Sequence, residues 1–244
     1  MPIRSSIHGL LLRLGWDVRR AGYPSSEERL LKRFLAVARP DTVLDVGANA
    51  GQYGRSLRIS GFTGRIISFE PIPAVHAKLV RDAASDPNWT VAPCGALGRA
   101  RGEMQINLAN NSLSSSLLPM HDIHLKAAPE SRFVATETVR VERLDDMVQP
   151  LLPCGRLMLK VDTQGYEEEV FAGAGSVLER ACALQVELSL VPLYAGAPSL
   201  RRMLEVCETA GFELHGLVPG FHDAASGRLL QMDGLFLRSQ ASPC

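Results

Sequence analysis

From residue 42 onward, short continuous apolar runs alternate with segments of helical spacing, and this alternation constrains the chain more than any other feature. Thr42–Val46, Arg65–Phe69, Trp89–Ala92, Leu157–Val161, Ala183–Leu188, Phe212–Leu217 and Gly234–Leu237 read as strands. Runs that are apolar at nearly successive positions, rather than at alternate ones, must be covered on both faces. That is the condition of a parallel sheet flanked by helices, an α/β fold. Helices are expected at Glu27–Arg39, with Ser26 as cap and Pro40 as stop, and at Gln52–Ser60 and Ile72–Ala84. Two more are expected at about 166–180 and 199–210.

Two stretches depart from the rhythm. Between 99 and 142, Glu103–Leu108 and Thr138–Val141 read as edge strands, separated by the polar run Asn110–Ser116 and by Pro119, His121 and His124. A connection this long inside a compact domain is usually functional. At the N-terminus, Ile3, Ile7, Leu10, Leu11, Leu14 and Val18 fall on one helical face, flanked by Arg4, Arg13, Arg19 and Arg20. Two readings stay open for this helix. It is a lid or membrane-surface element, or it packs on the main domain or on a second subunit of a homodimer. A linker around Gly22 and Pro24 follows it. The chain is therefore divided into an N-terminal helical extension, 1–40, and one main domain, 41–240.

Charge and cysteine content exclude several classes. The 26 Lys and Arg residues balance 26 Asp and Glu, whereas a protein held on nucleic acid by phosphate contacts carries a basic excess. The cysteines, at 94, 154, 182, 207 and 244, form no Cys-x-x-Cys pair, so a zinc ribbon or disulfide scaffold is not expected and a cytoplasmic setting is. No apolar run approaches the roughly 18 residues of a membrane span. Association with a membrane would rest on residues 1–20.

Chemistry concentrates at the ends of three strands. Val43-Leu44-Asp45-Val46-Gly47-Ala48-Asn49-Ala50-Gly51-Gln52-Tyr53 is a strand, a glycine turn and a helix start. Glycines let a ligand approach the main chain, and the helix start offers free N–H groups. Asn49 replaces the second glycine of a dinucleotide fingerprint. An acid at Asp45 suits a cationic amine rather than a pyrophosphate. The next strand ends in Glu70-Pro71, where a carboxylate can accept from ribose hydroxyls. Together Asp45, the glycines and Glu70 describe S-adenosylmethionine: a cationic amino acid, a ribose and a base. Further on, Leu157–Val161 delivers Asp162 to the ligand-binding edge of the sheet, and Glu187 lies near the end of the following strand.

These residues resemble the FkbM family of S-adenosylmethionine-dependent class I methyltransferases. The resemblance rests on the turn with Asn49, on Phe69-Glu70-Pro71, on Cys94–Gly98, on the Ser114–Leu117 run, on Leu144-Asp145, on Lys160–Asp162 with Gly165-Tyr166-Glu167, and on Asp233. It spans about Val43 to Arg238. It implies a Rossmann-like, doubly wound, seven-stranded sheet, mostly parallel with one antiparallel strand. It implies O-methylation of a small molecule, such as a sugar of a glycolipid or a natural product. Carried onto this chain, Asp45, Gly47, Asn49 and Gly51, with Gln52 and Tyr53 at the helix start, would hold the methionine end. Glu70 and Pro71 would hold the ribose, Gly95 and Ala96 would lie by the adenine, and Ser115 and Ser116 would close over the cofactor.

Methyl transfer needs alignment and, at some stage, loss of a proton from the acceptor. Asp162 is the first candidate base and Glu187 the second. His121, His124, His222 and Tyr194 are candidates for the acceptor pocket. No metal is assigned. The main alternative places Mg²⁺ on Asp162, Glu187 and Asp233, in a polyketide or natural-product methyltransferase. A nucleic-acid methyltransferase is a weaker rival, since Asp162-Thr163-Gln164-Gly165 stands where a Pro-Pro motif would follow the strand. A nicotinamide dehydrogenase and a non-catalytic binding module complete the rivals.

Overall fold

A computed structural model describes residues 26–151 and 155–239. The helix read at residues 1–20 lies outside the described residues. The main sheet contains β1 (Thr42–Val46), β2 (Arg65–Phe69), β3 (Trp89–Val91), β7 (Leu157–Val161), β8 (Ala181–Ser189), β9 (Phe212–Pro219) and β10 (Gln231–Arg238). Its order is β3-β2-β1-β7-β8-β10-β9. Only β10 runs antiparallel to its neighbours β8 and β9; the other pairings are parallel. The expected seven-stranded sheet with one antiparallel strand is present.

Helices cover both faces. β1 and β7 are buried at all five positions, as a doubly covered strand must be. One face packs Leu44, Leu159, Leu184 and Phe236 against α5 (Leu144–Val148), α6 (Glu167–Ala172), α7 (Gly175–Arg180) and α8 (Leu200–Thr209). The other packs Val43, Ile66, Met158, Ala183 and Leu235 against α1 (Ser26–Ala38), α2 (Gln52–Ile59) and α3 (Pro73–Ala83). Leu31, Phe34, Leu35 and Ala38 of α1 are buried in this second cluster. The boundary drawn at residue 40 therefore passes through one shared core.

On this second face the strands change character along their length. Val43 is followed two residues later by Asp45, Ile66 by Ser68, Met158 by Lys160 and then Asp162, and Ala183 by Gln185 and then Glu187. Positions two apart share a face, so an apolar half gives way to a polar half at the carboxyl ends. The register aligns them: Asp45 lies opposite Ser68 and Lys160, Lys160 opposite Gln185, and Glu187 opposite Asp233.

The 99–142 stretch corrects one expectation. Its strands do not edge the main sheet. β4 (Ala96–Leu97), β5 (Gly102–Ala109) and β6 (Phe133–Glu142) form a separate three-stranded sheet in the order β4-β6-β5. Only one side is apolar: Ala96, Ile106, Val139 and Val141 pack on Ile72. Strands polar on one side cannot extend a sheet that is covered on both. The polar run expected between them leads into α4 (Asp122–Ala127). The helix expected at 166–180 is two helices, α6 and α7, separated at Gly173 and Ala174. Asp145 sits in α5. Its carboxylate accepts from Ser176 N–H at 3.2 Å, Ser176 Oγ–H at 2.7 Å and Val177 N–H at 3.1 Å, joining α5 to the first turn of α7.

Phe34 is only 1% exposed. Phe34→Ala is expected to cost about 3–5 kcal/mol in urea unfolding. A loss below about 1 kcal/mol would make α1 a detachable appendage.

Candidate active site

The order of the main sheet reverses between β1 and β7, and the site lies beyond the carboxyl ends of these two strands. β1 ends in Gly47, at φ 76°. A Cβ there would stand 1.8 Å from the Asp162 carbonyl oxygen, so the crossing of the two chains requires glycine. The next turn residue, Asn49, also has a left-handed φ, 46°. Its Oδ1 accepts from Ala50 N–H at 2.8 Å, and its Nδ2 donates to Ser112 Oγ at 3.2 Å. The turn that the sequence singled out is thus latched to the polar run of residues 110–118.

Glu70, at the end of β2, is buried. Its Oε2 accepts from Asn49 N–H and its Oε1 from Ile72 N–H, each at 2.9 Å. Burial pushes its carboxyl up to about 7, against the two N–H groups, which pull it down.

These elements line an open cleft. Gly47, Asn49, Glu70, Pro71, Gly95, Ala96, Ser115, Ser116 and Asp162 all stand on its wall. Sequence reasoning missed other wall residues: the apolar Ile72, Leu97, Ile106, Leu113 and Leu117, together with Thr163, Gln164 and Tyr166. Thr163, Gln164 and Tyr166 follow Asp162 directly, so the signal was available in the strand-end motif.

The remaining candidates are not on that wall. Asp45 lies behind it, fully buried, with Ser68 Oγ donating to its Oδ2 at 3.1 Å and Lys160 Nζ at 3.4 Å from its Oδ1. Gly51 and Gln52 begin α2. Tyr53 turns inward, where its hydroxyl donates to Gln185 Oε1 at 2.7 Å. Glu187 reaches the wall only through Gln164, whose Nε2 donates to Glu187 Oε2 and to Asp162 Oδ1, both at 2.9 Å. Tyr194 is buried, and its hydroxyl lies 2.8 Å from Gln164 Oε1 and 3.0 Å from the Ser114 carbonyl oxygen. His124, a candidate for the acceptor pocket, is a buried residue of α4, packed on the Tyr194 and Phe221 rings, and burial lowers its pKa. His121 and His222 are exposed.

Lys160 is the charge centre of the buried half. Its Nζ lies 3.4 Å from both Asp45 Oδ1 and Asp162 Oδ2, and 3.3 Å from the Gly47 carbonyl oxygen. Burial pulls the ammonium down, but Asp162, Asp45 and Asp233 outweigh burial and leave it above its ordinary value. Asp45 is pushed up by burial, against the pull of Lys160. Glu187 rises well above the ordinary carboxylate range, through burial first and then through Asp162, Glu167 and Asp233. Gln164 joins Asp162 to Glu187 through its amide, and Gln185 Nε2 donates to Asp233 Oδ2 at 3.0 Å. Among the described residues, no three His, Cys, Asp or Glu side chains converge as a metal-ligand set.

The glycine turn, the acid after β2 and the acid after β7 now meet in one cleft. The Methyltransferase FkbM domain model matches residues 45–214, which span all three. This chain belongs to the FkbM methyltransferase family. Among solved structures, it is similar to precorrin-6y C5,15-methyltransferase from Geobacter metallireducens, at 13% identity and a TM-score of 0.46, covering 87% of both chains. It is also similar to Aeropyrum pernix fibrillarin in complex with S-adenosylmethionine, at 14% identity and a TM-score of 0.46, covering 80% of this chain and 66% of that one. A third is magnesium protoporphyrin IX methyltransferase from Synechocystis with bound S-adenosylmethionine, at 10% identity and a TM-score of 0.45, covering 87% and 78%. No curated protein matches this chain.

The FkbM protein is an S-adenosylmethionine-dependent methyltransferase. Its cleft fits that cofactor. The Glu70 carboxylate retains acceptor capacity beyond its two backbone donors, which ribose hydroxyls can use. Ile72, Ala96, Leu97 and Ile106 form an apolar wall suited to a purine. Because Glu70 is raised from 4.5 to about 7, its contribution to stability is largest at acid pH and falls as pH rises through that window. If Glu70 holds the ribose, binding runs the other way, because the ionised carboxylate is the stronger acceptor for hydroxyls. Affinity for S-adenosylhomocysteine is expected to rise up to about tenfold from about pH 6 to about pH 8. Glu70→Gln is expected to flatten the rise in calorimetric titrations, and parallel profiles would remove Glu70 from this role.

Proposed function

We propose that this FkbM protein methylates a hydroxyl oxygen of a small molecule, with Asp162 accepting the hydroxyl proton. One observation carries the reading. Asp162 ends the central strand β7 on the cleft wall, and its side chain is 33% exposed beside the buried Lys160 ammonium. S-adenosylmethionine supplies an electrophilic sulfonium methyl when bound. Its departing thioether is neutral, so the protein needs no general acid. Asp162 takes the proton through a carboxylate oxygen, and its exposure lets that proton pass on to water. Lys160 Nζ stands 3.4 Å from Asp162 Oδ2. Glu187 serves less well, since it is held in the proton-retaining direction behind Gln164.

Two features support a polyhydroxylated acceptor, a sugar of a glycolipid or natural product. The wall presents Asp162, Ser112 and Ser115 as hydrogen-bonding groups for hydroxyls. Leu113, exposed and on the wall, adds an apolar surface for a lipid or polyketide portion. No helix among the described residues is long and apolar enough to cross a membrane. Contact with a lipid-linked acceptor would fall to residues 1–20.

The direct test supplies labelled S-adenosylmethionine with a polar-lipid and metabolite extract, then identifies the labelled product. An alkali-stable methyl ether on a sugar is expected; label on nitrogen or carbon would overturn the reading. With that product in hand, Asp162→Asn is expected to slow transfer at least about 100-fold, while affinity for S-adenosylhomocysteine stays within a few-fold. Unchanged turnover would assign the proton to another group.

A further inference from the structure

Gln164 sits in a conformation that L-residues rarely adopt, φ 56°, and is followed by Gly165 at φ 99°. A Cβ at Gly165 would crowd Ala197, Leu118 and Tyr194 at 3.0–3.2 Å. Two left-handed residues in succession turn the chain sharply at the end of β7, and the Gln164 amide returns to Asp162, two residues earlier. One N–H of Nε2 donates to Asp162 Oδ1 at 2.9 Å. The other is shared between Glu187 Oε2 at 2.9 Å and Oε1 at 3.1 Å. On the opposite side of the amide, Oε1 lies 2.8 Å from the Tyr194 hydroxyl, which can donate to it. The Gln164 carbonyl oxygen accepts from Ser116 Oγ–H at 2.7 Å. Both donors of one side chain are thus directed at two carboxylates, and its oxygen faces a phenol, at the place where the proton is to be taken.

We propose that Gln164 is a positioning residue: its single amide holds the Asp162 and Glu187 carboxylates apart in one fixed arrangement and ties that arrangement to the 110–118 wall of the cleft. The role rests on the reading of Asp162 as proton acceptor. Without the amide, two carboxylates that both face it would repel each other, and neither would keep one orientation. A carboxylate in this position could not replace it, because it has no hydrogen to give. The carboxylates set the sense of the amide by accepting from Nε2, and the Tyr194 hydroxyl, whose one proton has both Gln164 Oε1 and the Ser114 carbonyl oxygen in reach, is compatible with it. The groups that face this pair come from every neighbouring element: Lys160 on β7, Asp45 on β1, Glu167 on α6, Asp233 on β10 and Tyr194 in the loop after β8.

The full chain, labelled with ¹³C at Asp and Glu carboxyl carbons, is titrated by NMR. Asp162→Asn and Glu187→Gln assign the two signals. Gln164→Met keeps the length of the side chain and removes both donors. The Glu187 midpoint is then expected to rise by about one pH unit or more, the size of a lost hydrogen bond to a charged group. Tyr194→Phe, which keeps the ring, is expected to move it in the same direction by less. Affinity for S-adenosylhomocysteine and the unfolding temperature should stay near those of the parent chain. An unmoved midpoint in Gln164→Met overturns the proposal. So does loss of cofactor affinity and stability together, which would mark a merely structural glutamine. The titration does not depend on turnover. If Asp162→Asn keeps full activity while the midpoint shifts, the base assignment fails and the clamp stands.

Discussion

A buried ammonium holds this site together. Lys160 lies in the middle strand of the sheet, in register with Asp45 on β1, and its Nζ reaches two carboxylates and the carbonyl at the end of β1. An unpaired charge at that depth would cost several kcal/mol, so the two strand ends have a strong reason to stay together. The Asp162 N–H bond to the Val46 carbonyl oxygen at 3.1 Å continues the same junction, and the missing side chain of Gly47 lets it close. The glycine turn, Glu70 and Asp162 all take their positions from this junction. Function depends on it because the cleft opens directly above.

The sheet face that carries Lys160 is divided along its length. Its lower half is an apolar core shared with α1, α2 and α3. Its upper half is a chain of polar contacts: Trp89 to Ser68, Ser68 to Asp45, Asp45 to Lys160, Lys160 to Asp162, and Asp162 to Gln164. The strands therefore provide rigidity at one end and chemistry at the other. In such a low-dielectric setting the proton affinities spread widely. Glu187 and Glu70 rise through burial, while Lys160 is held charged by its carboxylates. Groups of one chemical type thereby acquire different tasks.

Much of this architecture was legible in the chain. A run such as Leu157–Val161, apolar except for Lys160, reads as a doubly covered strand, and it is one. The strand-end acids Glu70 and Asp162 were legible for a topological reason: ligands gather at the carboxyl ends of parallel strands. Three kinds of information were not local. The strands between 102 and 142 alternate in a way that suits either a sheet edge or a separate small sheet, and only packing on Ile72 distinguishes the two. His124 occupies a short helix whose burial depends on Tyr194 and Phe221, far away in sequence. Tyr194 reads as a pocket residue but turns its hydroxyl onto Gln164, a pairing across 30 positions that no local pattern records.

Asp45 shows where the division falls. By itself the sequence determined that an acid ends the first strand beside a glycine turn, because strand period and glycine content are properties of neighbours along the chain. It determined the fold class and the family in the same way. The tertiary structure alone decided what that acid faces. Lys160, 115 positions away, takes Asp45 as a buried partner and leaves Asp162 on the cleft wall. Charges pair across space, and the pairing depends on strand order and register, which no local pattern records.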